Sequence, residues 1–255
     1  MWLKLSTSIE VGDMEIVLVE LDKVIKSARI DFDYFDPNLK GITNFVKGYT
    51  KEVLSNICLR INTGKTAPRN SYPDSGVRIL KVKNNTGKGI NWDEKFFVKE
   101  DFYNKAESKA KIQIGDILML CSAHNKIYIG RCDLVDTFPV EILEDDSRCC
   151  CVGELIMIRA NPEKVMPEYL VTYLRLPVVK NQIRRMVKGQ SAHLYPTDLS
   201  RLEIILPPKK IQEELAELNT SSQNEYNYRI TEATELLQKA RDKIEHTILN
   251  GNEPR

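Results

Sequence analysis

The chain has 255 residues, and its 37 Lys and Arg against 36 Asp and Glu leave a formal net charge of +1. Its composition is ordinary for a soluble globular protein, with room for one sizeable domain and an arm, or for two small domains. No apolar run approaches the ~20 residues that a membrane helix needs, and the N-terminus lacks a basic–apolar–small signal pattern, so a cytoplasmic chain is expected.

In chain order, residues 1 to about 50 read as an irregular, partly helical entry. It includes an apolar segment from Val17 and an aromatic–acidic turn from Arg29 to Pro37. Asn62–Arg69 reads as a loop, and Val77–Val82 alternates as a strand ahead of the turn Asn84–Gly89. Ile114–Leu120 and Lys126–Leu134 are expected to pair as strands around a turn at Ser122–Asn125. Cys149–Arg159 reads as one buried strand. Pro167 opens a helix with Tyr169, Leu170, Tyr173 and Leu174 on one face. Pro177 interrupts it, and Val178–Val187 continues as a basic helix, followed by a polar loop from Gly189 to Pro196.

The ending has a different character. Pro207 and Pro208 stop a strand-like segment from Leu202 to Leu206, and no Pro or Gly follows between Lys209 and Asn250. Apolar residues recur at Ile211, Leu215, Leu218, Tyr226, Ile230, Ala233, Leu237, Ala240, Ile244 and Ile248, in steps of three and four apart from one gap at Ser222. That is one stripe on a helix about 60 Å long. A lone helix has no core, so the stripe requires a partner helix. The expected organisation is a mixed α+β head over residues 1–208, a long coiled-coil helix over 209–250 and a tail over 251–255.

Charge is uneven. From Lys209 onward seven basic residues face nine acidic ones, which leaves the head at +3. Arg60–Lys88 holds seven basic residues against Asp74 alone, and Val171–Arg201 holds six against Asp198. Two basic blocks on a nearly neutral protein suggest a polyanion-binding face, although acids nearby in space could balance them. The loops richest in groups that contact bases or phosphates supply the candidate residues: Lys65, Arg69, Lys83, Asn84, Asn85, Lys88, His124, Lys126, Arg184, Arg185, Lys188, Gln190 and His193.

Catalytic motifs fare worse. Gly64-Lys65-Thr66 looks like the end of a phosphate-binding loop, but Leu59 stands where its first glycine belongs. The sole Pro-Pro, Pro207-Pro208, lacks the context of a base-methylating motif, and no cofactor-binding glycine loop is evident. Asp74, Glu107 and Lys109 mimic a metal-dependent nuclease, a spacing that chance often produces. Cys121, His124 and Cys132 lack a fourth zinc ligand, and the six cysteines contain no C-x-x-C pair. Buried thiols, no metal and no cofactor are expected.

The order of pieces resembles the DNA specificity subunits of type I restriction-modification systems. Gly64-Lys65-Thr66-Ala67-Pro68 is similar to that family's early G-K-T-P loop, with Ala67 inserted. Arg78–Asn84 with Gly87 and Gly89 is similar to its strand and turn, Gly115-Asp116-Ile117-Leu118 to its G-D-I-L start, and Gly130-Arg131 to its following G-[KR] strand. Pro167–Leu174 resembles its Y-L helix, and Ile204–Pro208 with Gln212 its hinge into a long helix. The resemblance implies a non-catalytic target recognition domain that reads double-stranded DNA. It also implies a spacer helix that docks DNA adenine methyltransferase subunits, with a restriction and translocase subunit in the same assembly. Family members usually carry two such halves in tandem, and this chain has one, so pairing with a copy of itself through the helix is expected. The rivals are a nuclease and an assembly scaffold whose basic face binds protein acids.

Overall fold

The computed structural model describes residues 8–11, 14–17, 19, 21–27, 48–106, 110–189 and 192–250. The aromatic–acidic turn from Arg29 to Pro37 lies outside them. In chain order the strands are β1 (Ser8–Val11), β2 (Met14–Val17), β3 (Thr50–Val53), β4 (Cys58–Thr63), β5 (Val77–Leu80), β6 (Phe97–Val98), β7 (Asp116–Leu120), β8 (Cys132–Leu134), β9 (Cys149–Cys151), β10 (Leu155–Ala160) and β11 (Glu203–Leu206). The helices are α1 (Leu21–Ser27), α2 (Leu54–Ile57), α3 (Glu100–Lys105), α4 (Val140–Leu143), α5 (Pro167–Arg175), α6 (Pro177–Met186), α7 (Pro196–Leu199) and α8 (Lys209–Asn250).

Side chains of a strand alternate between faces, and here both faces of the central strands are buried. The antiparallel sheet β4-β10-β7-β8 sends Ile117, Met119, Ile156 and Ile158 into one core, packed with Tyr169, Leu170 and Leu174 of α5 and Ile183 of α6. Leu118, Leu120, Leu155 and Met157 enter a second core with Ile79, Leu80, Tyr103, Phe138 and Cys149–Cys151. That second core lies under a small mixed sheet in which β5 pairs antiparallel with β6 and parallel with β9. The result is a mixed α+β head followed by a long helix.

Polar groups fix the register where apolar packing alone leaves it free. Arg159 lies directly across from Asp116 in the β10–β7 ladder and donates Nε and Nη2 to its carboxylate at 2.7 and 2.8 Å. The Asp116 carboxylate raises the Arg159 pKa, since it favours the charged guanidinium. Tyr169 of α5 donates its hydroxyl to Ile205 O at 2.6 Å, which ties that helix to β11.

Two strand expectations are corrected. Lys126–Tyr128 is a short 3-10 turn, because Asn125 Oδ1 accepts from Ile127 N at 3.0 Å and caps it, and β8 begins only at Cys132. Cys149–Arg159 is two strands, because β9 pairs with β5 while β10 pairs with β4 and β7.

The chain divides into two units, Met1–Gln212 and Glu213–Arg255. The first turn of α8 therefore belongs with the head. Gln212 is buried there, accepting from Met166 N at 3.0 Å and donating to Pro207 O at 2.9 Å. Along the second unit Leu218, Tyr226, Ile230, Leu237, Ile244 and Ile248 are all exposed.

Candidate nucleic-acid interface

The antiparallel ladders place the end of β4, the end of β7 and the starts of β8 and β10 at one end of the central sheet. Their connections meet there. Gly64 N donates to Leu155 O at 3.0 Å and Lys65 N to Cys151 O at 2.9 Å. A Cβ on Gly64 would lie 2.2 Å from Cys151 O, so the glycine serves close backbone packing. With those amides occupied, the Gly64-Lys65-Thr66 loop is no phosphate cradle. Cys121 N donates to Glu154 O and Leu194 N to Cys121 O, both at 2.9 Å, which draws the segment after α6 to the same end.

Several segments that carry sequence-predicted residues are linked by contacts. Lys188 and His193 exchange backbone hydrogen bonds at 2.8 Å, and His193 Nδ1 lies 3.5 Å from Ser122 Oγ, next to the exposed His124 and Lys126. Lys188 is exposed and pairs with Asp198 at 2.8 Å. Gly130, with φ +85, packs on Ile183 of α6, just ahead of Arg184 and Arg185. Both arginines are half-buried, and Arg184 Nη1 lies 3.4 Å from Asn181 Oδ1. Arg131, following Gly130, donates Nε to Asn85 Oδ1 at 3.1 Å, so the 84–89 turn adjoins the 124–131 segment. Lys88 is exposed at the tip of that turn, and Lys83 is exposed beside Glu94 at 3.9 Å. Lys65 and Arg69 are exposed on the loop after β4, with Lys65 Nζ 5.9 Å from the Phe102 ring. Gln190 lies outside the described residues.

Asn84 and Asn85 are corrected. Both are buried, and their amides are spent inside the fold. Asn84 accepts from Lys81 N at 2.8 Å and donates to Asn91 O and Glu94 O at 2.7 Å. Asn85 donates to Leu118 O at 2.9 Å while accepting from Arg131. A base contact would break these bonds, so the two residues shape the turn and Lys83 and Lys88 are left to reach outward. Two basic residues also leave the charge count: Arg78 is buried and donates to Trp92 O at 3.0 Å, and Arg175 is paired with Asp133 at 2.8 Å.

Sequence reasoning did not single out Asp133 and Tyr128, and it gave Arg131 only as part of the Gly130-Arg131 resemblance. An acid inside the apolar stretch Ile127–Val135 is the available signal for Asp133, since a buried carboxylate requires partners. Tyr128 and Ile127 are 51% and 60% exposed, which sets an aromatic and an aliphatic side chain on the tip beside Lys126. Their assignment to a strand concealed this.

Of the residues of the nuclease alternative, Asp74 is exposed, and Glu107 and Lys109 lie outside the described residues. Burial pushes the Cys121 and Cys132 thiols up to about 12. Among the described residues no group of three or more His, Cys, Asp or Glu is placed to hold a metal ion, and no helix is long and apolar enough to cross a membrane.

No protein-family model matches the chain. The type I restriction enzyme MjaVIII specificity subunit of Methanocaldococcus jannaschii is 26% identical over 196 residues, covering 75% of this chain and 43% of its own length. This chain spans less than half the length of the curated relatives it matches. A solved structure described as showing complex assembly and conformational transition of the type I restriction-modification system aligns with a TM-score of 0.56 at 16% identity, over 80% of this chain and 45% of that one. The type I restriction-modification S subunit from M. genitalium aligns with a TM-score of 0.51 at 16% identity, over 84% and 49%. At those identities the two structures speak for the fold. In motif order, in sequence relatives and in fold, the chain resembles the specificity subunits of type I restriction-modification systems.

Proposed function

We propose that the chain is a non-catalytic, cytoplasmic DNA specificity subunit of the type I restriction class that reads one half-site of double-stranded DNA. The observation that carries this reading is the linked surface at one end of the central sheet. Arg131 bonds Asn85 of the 84–89 turn, His193 bridges to Ser122 and Lys188, and Lys88, His124, Lys126 and Lys188 are exposed on these linked segments, which supports the reading. Cations on such a surface can neutralise phosphates while the tips reach base edges. Lys65, Arg69, Lys83, Arg184 and Arg185 extend it.

The exposed apolar stripe of α8 supports the second half of the proposal. Helix association buries such a stripe, and a second copy of this helix is the partner proposed for it. The α8 helix then spaces the half-sites and docks adenine methyltransferase subunits, which supply the chemistry with their own cofactor. A restriction and translocase subunit completes the assembly.

Binding of labelled duplex DNA by the chain with its methyltransferase partner tests the reading. Log affinity should fall linearly with log salt, by about 0.9 per phosphate neutralised. Salt-insensitive binding, or none, would favour an assembly scaffold. Magnesium-dependent cleavage by the chain alone would favour the nuclease.

A further inference from the structure

Asp133 is the second residue of β8, and its side chain has no exposure. An ionised carboxylate in that position loses its hydration and must be compensated by charge and donors. Its Oδ1 accepts from Gly89 N and from Arg175 Nη2, both at 2.8 Å, and its Oδ2 accepts from Gly87 N at 2.8 Å. The two glycines have φ of +84 and +133, which ordinary side chains rarely adopt. Two amides on one anion hold both sides of Lys88, whose own side chain is exposed. Arg131 grips the same turn through Asn85 and through Val82 O at 3.2 Å, with its guanidinium carbon 5.6 Å from the centre of the Tyr128 ring. Segments separated by some forty residues of chain are thus fastened at Arg131-Cys132-Asp133.

We propose that Asp133, with Arg175 behind it and Arg131 beside it, is a positioning device for sequence reading. It locks the 84–89 turn and the 126–131 segment into one rigid surface, so that Lys88 and Lys126 meet DNA at a fixed spacing. The proposal rests on the DNA-reading function above. A loop ordered in the free protein carries no ordering cost on binding, and base contacts demand tighter geometry than phosphate contacts do. Loss of the clamp therefore lowers specificity before it lowers general DNA affinity.

The test uses the full chain with its methyltransferase partner, on a selected cognate duplex and on unrelated DNA. Asp133→Asn keeps the side-chain size but removes the charge facing Arg175 and sets an amide donor against a backbone N–H. Arg131→Met loosens the turn without touching Asp133 and serves where Asp133→Asn fails to fold. In either variant cognate affinity should fall about tenfold or more, while unrelated DNA changes by less than about twofold. Amide hydrogen exchange at Gly87 and Gly89 should rise. Added to Lys88→Ala, Asp133→Asn should cost little beyond Lys88→Ala alone, because the two act through one contact. A parallel loss on both DNAs, unchanged exchange at the two glycines or full additivity would overturn the proposal. A wild-type complex that binds no DNA would instead remove the DNA-reading function, and exchange at Gly87 and Gly89 would still decide whether Asp133 holds the turn.

Discussion

A thiol pressed into an apolar core keeps its proton, because the thiolate would lose its hydration. Burial pushes Cys58, Cys121, Cys132 and Cys150 up to about 12 and raises Cys149 and Cys151 as well. The unfolded chain releases these protons near 9.0, so between about 9 and 12 it binds fewer protons than the folded chain. Stability present below pH 9 should therefore be lost as pH rises, by about 1.4 kcal/mol per pH unit for a thiol as buried as Cys132. Melting temperature measured from pH 8 to 10.5 should decline across the upper half of that range, and a flat profile would contradict the assignment. Asn85 makes a second residue-scale case. Asn85→Ala leaves Leu118 O and the Arg131 guanidinium short of a partner, so it should destabilise the head by about 1–3 kcal/mol in urea titration. Its type and turn position were legible in the sequence. Its burial was not, because that depends on β7 and β8 lying beneath the turn.

Elements were legible where period and punctuation agree. The Pro pair and the unbroken stretch after it placed α8 at Lys209–Asn250, and Pro167 and Pro177 placed α5 and α6. The Lys126–Tyr128 turn was misread because a short apolar run is ambiguous and its cap is a local side-chain bond. The start of α8 carries a prediction. Gln212 pins this turn to Met166 and Pro207, so a truncation after Pro208 should lower head stability, while one after Glu217 should leave it intact. In light scattering the chain ending at Glu217 should be monomeric where the longer chain is dimeric. A dimer that survives that truncation would move the association surface off the stripe. At the end of α6, replacing Arg184 and Arg185 together with Ala should weaken binding to all DNA alike. Loss restricted to one sequence would make them base readers.

At the scale of the whole molecule, the family motifs acquire mechanical meanings. The aspartate of Gly115-Asp116-Ile117-Leu118 forms a cross-strand ion pair with Arg159. Gly130 admits Ile183, and the Gln212 hinge fastens the first turn of α8 to the head. The head was legible as mixed α+β, but its layering was not, because pairing β5 in parallel with β9 joins segments about seventy residues apart in sequence. The proposed reading surface rests on residue type and loop position, and the contacts that tie its 84–89 turn to the segment before β8 run through Arg131 and Asp133. That surface is the central claim, and selection from a randomised duplex library tests it most directly. The chain with the proposed methyltransferase partner should enrich a short motif at about 0.15 M salt. His193→Ala should relax one or more positions of that motif while retaining general affinity. A bound pool indistinguishable from the input would contradict the account.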